Sequence, residues 1–145
     1  MTRRRAWCMA LSSRLEGLPG LSLPRITQGC DPSWWFYLVR VKEHELTATT
    51  DQIAEALRAE GIPVGAHYIG TPIYQYPLFR EHTAFAHAGH PFAERAHAKG
   101  LCPVAEQILD TCIMLGVNEA HTQADLDETA LAFQKVFTWY ARPRA

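Results

Sequence analysis

The sequence predicts an α+β fold: a small antiparallel or mixed sheet of about three strands covered by helices. Three observations lead there. Residues 34–41, WWFYLVRV, form a run of aromatic and branched side chains suited to a pleated, packed surface. Two further apolar runs, at 63–69 and 112–117, are short enough for strands. Between and around them lie stretches with helical periodicity and helix-start residues. Strands gathered in one layer with helices against it make an α+β domain.

In chain order, residues 3–15 read as a helix. Trp7, Leu11 and Leu15 recur every fourth residue, with Cys8 and Ala10 on the same side. Gly17-Leu18-Pro19-Gly20 stops it. Residues 16–32 are expected to be a connector, because 21–31 carries Pro24, Gly29 and no clear period. The 34–41 strand follows, so uniformly apolar that it should be covered on both faces, or covered on one and packed on a partner with the other. Lys42 to Leu46 is charged and reads as a turn. Thr50 is the expected N-cap of a helix over 51–60, with Ile53, Ala56 and Leu57 on one face. Gly61 ends that helix in the position where a left-handed residue is common. Residues 63–69 make the second strand.

Residues 70–100 are irregular, with Phe79, Phe85 and Phe92 as anchors and a helical turn expected at 93–98. Irregular stretches this long in a compact domain are usually functional or disordered, and the spaced phenylalanines favour an ordered one. Pro103 suits the first turn of a helix running to Asp110. Residues 112–117 form the third strand. Thr122 and Asp125 have capping-box spacing ahead of a last helix to about Tyr140. Its apolar side holds Leu126, Thr129, Phe133, Val136, Phe137 and Tyr140.

The chain has 145 residues, enough for one domain with a real core. Hydrophobic residues make 48% and charged residues 20%, with a net charge of −1. That balance gives no general pull toward nucleic acid or an anionic membrane. The apolar run after Thr2-Arg3-Arg4-Arg5 breaks at Ser12, Ser13 and Arg14, too soon for a signal peptide or a membrane span. Cys8, Cys30, Cys102 and Cys112 include no CxxC pair, so free thiols in a reducing cytoplasm are expected.

Few residues signal chemistry. His82, His87, His90 and His97 cluster, but their spacing matches no zinc motif, and the plain reading is solvated loop histidines. Asp51, Glu55 and Glu60 read as solvating charges on the outer side of their helix. Cys102, before a helix start, is placed where a thiolate is favoured, yet no base accompanies it. No phosphate-cradling glycine loop or hydrolase elbow is present. The stretch 61–79, GIPVGAHYIGTPIYQYPLF, sets His67, Tyr68, Tyr74 and Tyr76 among glycines and prolines, as a pocket wall would. The residues alone leave two readings of His67 and Tyr68 open: ligand contact, or polar-tipped cover for the sheet end.

Ser33 to Val41, Gly61-Ile62-Pro63-Val64, Tyr68-Ile69-Gly70-Thr71-Pro72-Ile73-Tyr74 and Cys102-Pro103-Val104-Ala105-Glu106 together resemble the carboxy-terminal part of the DegT/DnrJ/StrS-type aminotransferases. The resemblance covers almost the whole chain. It implies the small C-terminal domain of a fold-type I, pyridoxal-phosphate-dependent enzyme that aminates keto-sugars or cyclitols such as keto-inositols. In that family a large amino-terminal domain holds the cofactor on a lysine. Lys42, Lys99 and Lys135 match no such segment, and the large domain has no counterpart in residues 1–145. The resemblance therefore carries over no catalytic or cofactor-binding residue. It carries over substrate contacts at His67, Tyr68, Thr71 and Tyr74.

Two functions follow as expectations. The chain supplies a substrate wall and a domain or subunit interface to an aminotransferase, homodimeric when complete, without transaminating alone. Alternatively, it is a free-standing, non-enzymatic domain binding a small polyol or a protein partner. A decayed remnant is a third, weaker reading. Under the first, Trp7, Leu11 and Leu15 should pack on the large domain, and in isolation should leave an apolar patch.

Overall fold

The computed structural model describes residues 2–81 and 99–143. Two compact units are present: Met1–Tyr68 with Thr111–Ala145, and Ile69–Asp110.

The first unit carries helix α1 (Thr2–Leu15), strands β1 (Leu21–Ser22) and β2 (Phe36–Val41), helix α2 (Thr50–Ala59) and strand β3 (Val64–Ala66). Within the second lies the four-residue helix α3 (Pro77–Arg80); helix α4 (Pro103–Thr111) follows it in the chain. Strand β4 (Cys112–Gly116) and helix α5 (Gln123–Trp139) complete the first.

The sheet has four strands, in the order β1-β2-β4-β3, and every neighbouring pair is antiparallel. The expected count of about three is corrected by β1. It comes from the stretch read as a connector: Leu21 pairs with Val41 and Ser22 with Arg40. Two residues between prolines and glycines carry no alternation, so only pairing with β2 makes them a strand. In the centre Tyr37 lies opposite Leu115 and Val39 opposite Ile113, while Val64 of β3 also faces Leu115.

Strand β2 alternates. Tyr37, Val39 and Val41 are buried, whereas Phe36, Leu38 and Arg40 are half-buried. One face is closed and the other partly covered. The strand starts at Phe36 and not at Trp34, because Trp34 takes a left-handed φ of 53°. Trp34 is buried and stacks on Tyr37 at 5.4 Å.

Helix α1 packs its apolar side inside the first unit. Trp7, Cys8, Leu11 and Leu15 are buried in the same core as Leu126, Ala130, Phe133 and Phe137 of α5. Trp7 Nε1 donates to the Thr122 carbonyl at 3.3 Å, and Gln134 donates to the Arg14 carbonyl at 3.1 Å. The patch expected from Trp7, Leu11 and Leu15 is thus absent. The apolar stripe of α5, wider than one sheet face needs, covers it.

The cap of α2 is Thr49, one residue before the expected Thr50. Its backbone N–H donates to Gln52 Oε1 at 2.9 Å, and its hydroxyl accepts from the Gln52 N–H, closing a capping box. Thr50 is buried, and its hydroxyl and backbone N–H both donate to the Glu43 carboxylate, at 2.8 and 2.6 Å. Ala54 joins Ile53 and Leu57 in the core, and the expected Ala56 packs against it half-buried. Gly61 follows with a φ of 87°, and Thr122 and Asp125 form the capping box of α5 as expected.

Candidate functional site

Strand β3 stops at Ala66, shorter than the expected 63–69, because the next two residues leave the extended region. His67 has φ 62° and Tyr68 φ 37°. Two consecutive non-glycine residues in left-handed backbone cost roughly 1–2 kcal/mol each. Their surroundings hold them there. The His67 N–H donates to the Cys112 carbonyl of β4 at 2.9 Å. Its ring Nε2 lies 3.1 Å from Asp51 Oδ1, in the first turn of α2. The Tyr68 ring rests against Phe36 of β2, centroids 5.0 Å apart. Tyr68 is 40% exposed, so one side of its ring meets Phe36 while much of the rest remains accessible. A ring fixed this way offers an apolar face and a hydroxyl to a ligand.

Thr71 and Tyr74 lie in the second unit. Thr71 is half-buried, and its N–H donates to the Ile69 carbonyl at 2.8 Å. Tyr74 sits in a 3-10 turn, Ile73–Gln75. Its hydroxyl donates to Glu106 of α4 and accepts from the Cys102 N–H at 3.3 Å and from Gln75 Nε2 at 3.2 Å. The Gly100 N–H donates to the same Glu106 oxygen at 2.6 Å, as does Gln75 Nε2 at 3.2 Å. Desolvation, then the bond to the Glu106 carboxylate, holds the Tyr74 phenol above its ordinary value. The bond from Tyr74, then that from Gly100, holds Glu106 below the usual carboxylate range. The phenol therefore stays neutral and keeps its own proton, directed at the ionised Glu106 carboxylate. Tyr74 braces its own unit, and its ring, not its hydroxyl, is the part left to meet a ligand.

Helix α4 is amphipathic yet has no buried residue, and Val104 is 69% exposed. Ile73, Leu78 and Leu101 of the same unit are exposed as well.

Among the described residues, neither metal nor pyridoxal phosphate finds a fitting donor set. The histidines His82, His87, His90 and His97, with Phe85, Phe92 and the expected turn at 93–98, lie outside the described residues. Among the described residues no group of three His, Cys, Asp or Glu could hold a metal ion. A Schiff-base lysine needs a sheltered, unpaired amine. Lys42 is exposed and bonded to Glu45 at 3.0 Å, and Lys135 is exposed and bonded to Glu60 at 2.7 Å. Lys99 is exposed in the turn before Gly100. The four cysteines are free, Cys8 and Cys112 buried, Cys30 and Cys102 exposed.

The residues missed by sequence reasoning are Asp51, Phe36 and Glu106. Asp51 read as a solvating charge because it lies 16 positions before His67. Glu106 offered the one usable signal, an acid just after a Cys-Pro helix start.

The DegT/DnrJ/EryC1/StrS aminotransferase family model matches residues 1–134. The chain belongs to this family. Solved aminotransferases share its fold. DesV of S. venezuelae, in complex with a ketimine intermediate, is 24% identical with a TM-score of 0.73; the match covers 99% of this chain and 32% of that one. Helicobacter pylori PseC, an aminotransferase involved in the biosynthesis of pseudoaminic acid, is 19% identical with a TM-score of 0.69, over 96% and 33%. A GDP-4-keto-6-deoxymannose-3-dehydratase with a trapped PLP-glutamate geminal diamine is 16% identical with a TM-score of 0.64, over 91% and 30%. This DegT/DnrJ/EryC1/StrS chain spans about a third of the length of these solved chains. A comparison with curated proteins finds no match.

Proposed function

We propose that the chain is the small C-terminal domain of a pyridoxal-phosphate-dependent aminotransferase acting on a keto-sugar or keto-inositol. The observation that carries this is the pairing of coverages: 99% of this chain matches 32% of a solved aminotransferase. The large domain, in the same or a separate chain, supplies the cofactor, which when bound acts as an electron sink for moving an amino group. This chain's residues bind and orient. His67 and Tyr68 contact substrate hydroxyls and a ring face. The Thr71 to Tyr74 turn adds a second contact, through Thr71 and the Tyr74 ring. The exposed apolar side chains of α4 and its neighbours belong to a domain or subunit interface of a homodimer. A cytoplasmic setting is part of the same proposal; among the described residues no helix is long and apolar enough to cross a membrane.

Burial of Trp7, Leu11 and Leu15 within the first unit favours a second reading. A chain that closes its own core can stand alone, as a non-enzymatic domain binding a polyol or a protein.

Co-expression with a lysine-bearing large domain of the family separates the two. Keto-sugar or keto-inositol amination that needs both parts supports the first reading. The chain alone, with pyridoxal phosphate and borohydride, should yield no reduced lysine adduct. Such an adduct would overturn the assignment of the cofactor to the other domain. Failure of the two parts to associate would leave the stand-alone domain.

A further inference from the structure

We infer that Asp51 is a positioning residue for His67: its carboxylate sets the direction of the imidazole at the end of β3. The inference rests on the reading of His67 as a substrate contact for its function, and on geometry alone for the positioning itself.

Three elements converge on two strained residues. Strand β4 takes the His67 backbone N–H through the Cys112 carbonyl at 2.9 Å. Helix α2 takes the ring through Asp51, Nε2 to Oδ1, at 3.1 Å. Strand β2 takes the next residue through the Phe36–Tyr68 ring contact at 5.0 Å. Left-handed backbone at two successive non-glycine positions persists only where such contacts over-determine it, and strain of this kind gathers at ligand clamps. The backbone anchors fix where the His67 Cβ sits, and Asp51 constrains the ring itself.

Stability does not account for the contact. The Asp51 side chain is 76% exposed and that of His67 35%. Ion pairs and hydrogen bonds this open to water contribute little to folding. An acid in the first turn of α2 is already favoured by the helix dipole, whatever stands at residue 67. What the pair supplies is orientation. A carboxylate on one ring nitrogen selects the tautomer that donates from Nε2 and holds the ring in one rotamer.

The test uses the 145-residue chain labelled with 15N and 13C. A long-range proton–nitrogen spectrum reports which ring nitrogen carries the proton, and three-bond couplings report the rotamer. The wild type should show His67 protonated on Nε2 and in one rotamer. Asp51→Ala should average the rotamer and shift the Nε2 resonance, with the melting temperature nearly unchanged. Asp51→Glu should restore the single rotamer. Identical His67 signals in the wild type and Asp51→Ala would overturn the inference. In an assembled enzyme, Asp51→Ala should raise KM about fivefold, the worth of one hydrogen bond, with kcat little changed. If His67→Ala leaves KM unchanged while Asp51→Ala still frees the ring, the positioning stands and the substrate-contact reading falls.

Discussion

The Tyr74 hydroxyl donates a hydrogen bond to the Glu106 carboxylate, joining the 3-10 turn at Ile73–Gln75 to the first turn of α4. The same two side chains also receive the Cys102 and Gly100 N–H groups. With Gln75 Nε2, five polar groups thus satisfy one another at the start of α4. An intact polar network holds its elements in one arrangement, and a half-broken one leaves costly unpaired groups.

Removing the hydroxyl should therefore act locally first. In Tyr74→Phe the Cys102 amide loses its acceptor, and in Glu106→Gln the Gly100 amide faces a weaker one. Amide exchange at those residues should speed by about fivefold, the worth of roughly one hydrogen bond. Exchange in the α1–α5 core should stay as it was. Unchanged exchange at Cys102 in Tyr74→Phe would remove the brace.

Alkaline pH should destabilise the chain through two buried acids. Burial pushes the Cys8 thiol up to about 12 from 9.0, with Arg4 opposing weakly. Burial likewise pushes the Tyr37 phenol up to about 12 from 10.0, although its bond to Ser12 pulls the other way. Below the unfolded values both groups are protonated in both states, and their contribution is fully present. As pH rises from about 9 toward about 12 the unfolded chain releases these protons first, so stability falls through that window. The loss should reach about 4 kcal/mol near pH 11, from roughly two pH units of Cys8 and one of Tyr37 at about 1.4 kcal/mol per unit. Urea midpoints measured against pH check it, and Tyr37→Phe should flatten the slope above about pH 10.

How much of this was legible depended on sequence distance. Gly61, Pro103, the Thr122–Asp125 box and the β2 and β4 strands act through near neighbours, so their signals lie within a few residues. Strand β1 was not legible, since Leu21 and Ser22 become a strand only by pairing with Val41 and Arg40. The fate of α1 was misread for the same reason: its apolar side announces a partner without naming it, and α5 lies over a hundred positions away. At the candidate site His67 and Tyr68 stood out by residue type. Their left-handed backbone and the Asp51 contact did not, because no local pattern encodes a bond across 16 positions.

Gly20 is a backbone requirement that substitution should expose. Its φ is 71°, and a Cβ there would sit 2.4 Å from the Leu46 side chain. Leu46 is fully buried, so it has little room to retreat. The Gly20 N–H also donates to Glu45 at 2.8 Å, which with Lys42 holds that carboxylate low. Gly20→Ala should cost about 2–4 kcal/mol from strain and overpacking together. Gly17→Ala shares the positive φ but meets nothing within 4 Å, and should cost clearly less. Equal losses in the two variants would show that the contact with Leu46 is not tight.

The burial of α1 within this chain can be measured directly. Leu11 is fully buried against the α5 stripe that includes Phe133 and Phe137. Leu11→Ala should destabilise by about 2–5 kcal/mol, the range for a large cavity in a close-packed core. Trp139 is 81% exposed and Leu131 66%, so Trp139→Gln and Leu131→Gln should change stability by less than about 0.5 kcal/mol. If α1 instead detaches and seeks another domain, Leu11→Ala will be nearly neutral and the chain will self-associate in sedimentation through Trp7, Leu11 and Leu15. A strong Leu11 effect in a monodisperse chain places the helix inside its own core.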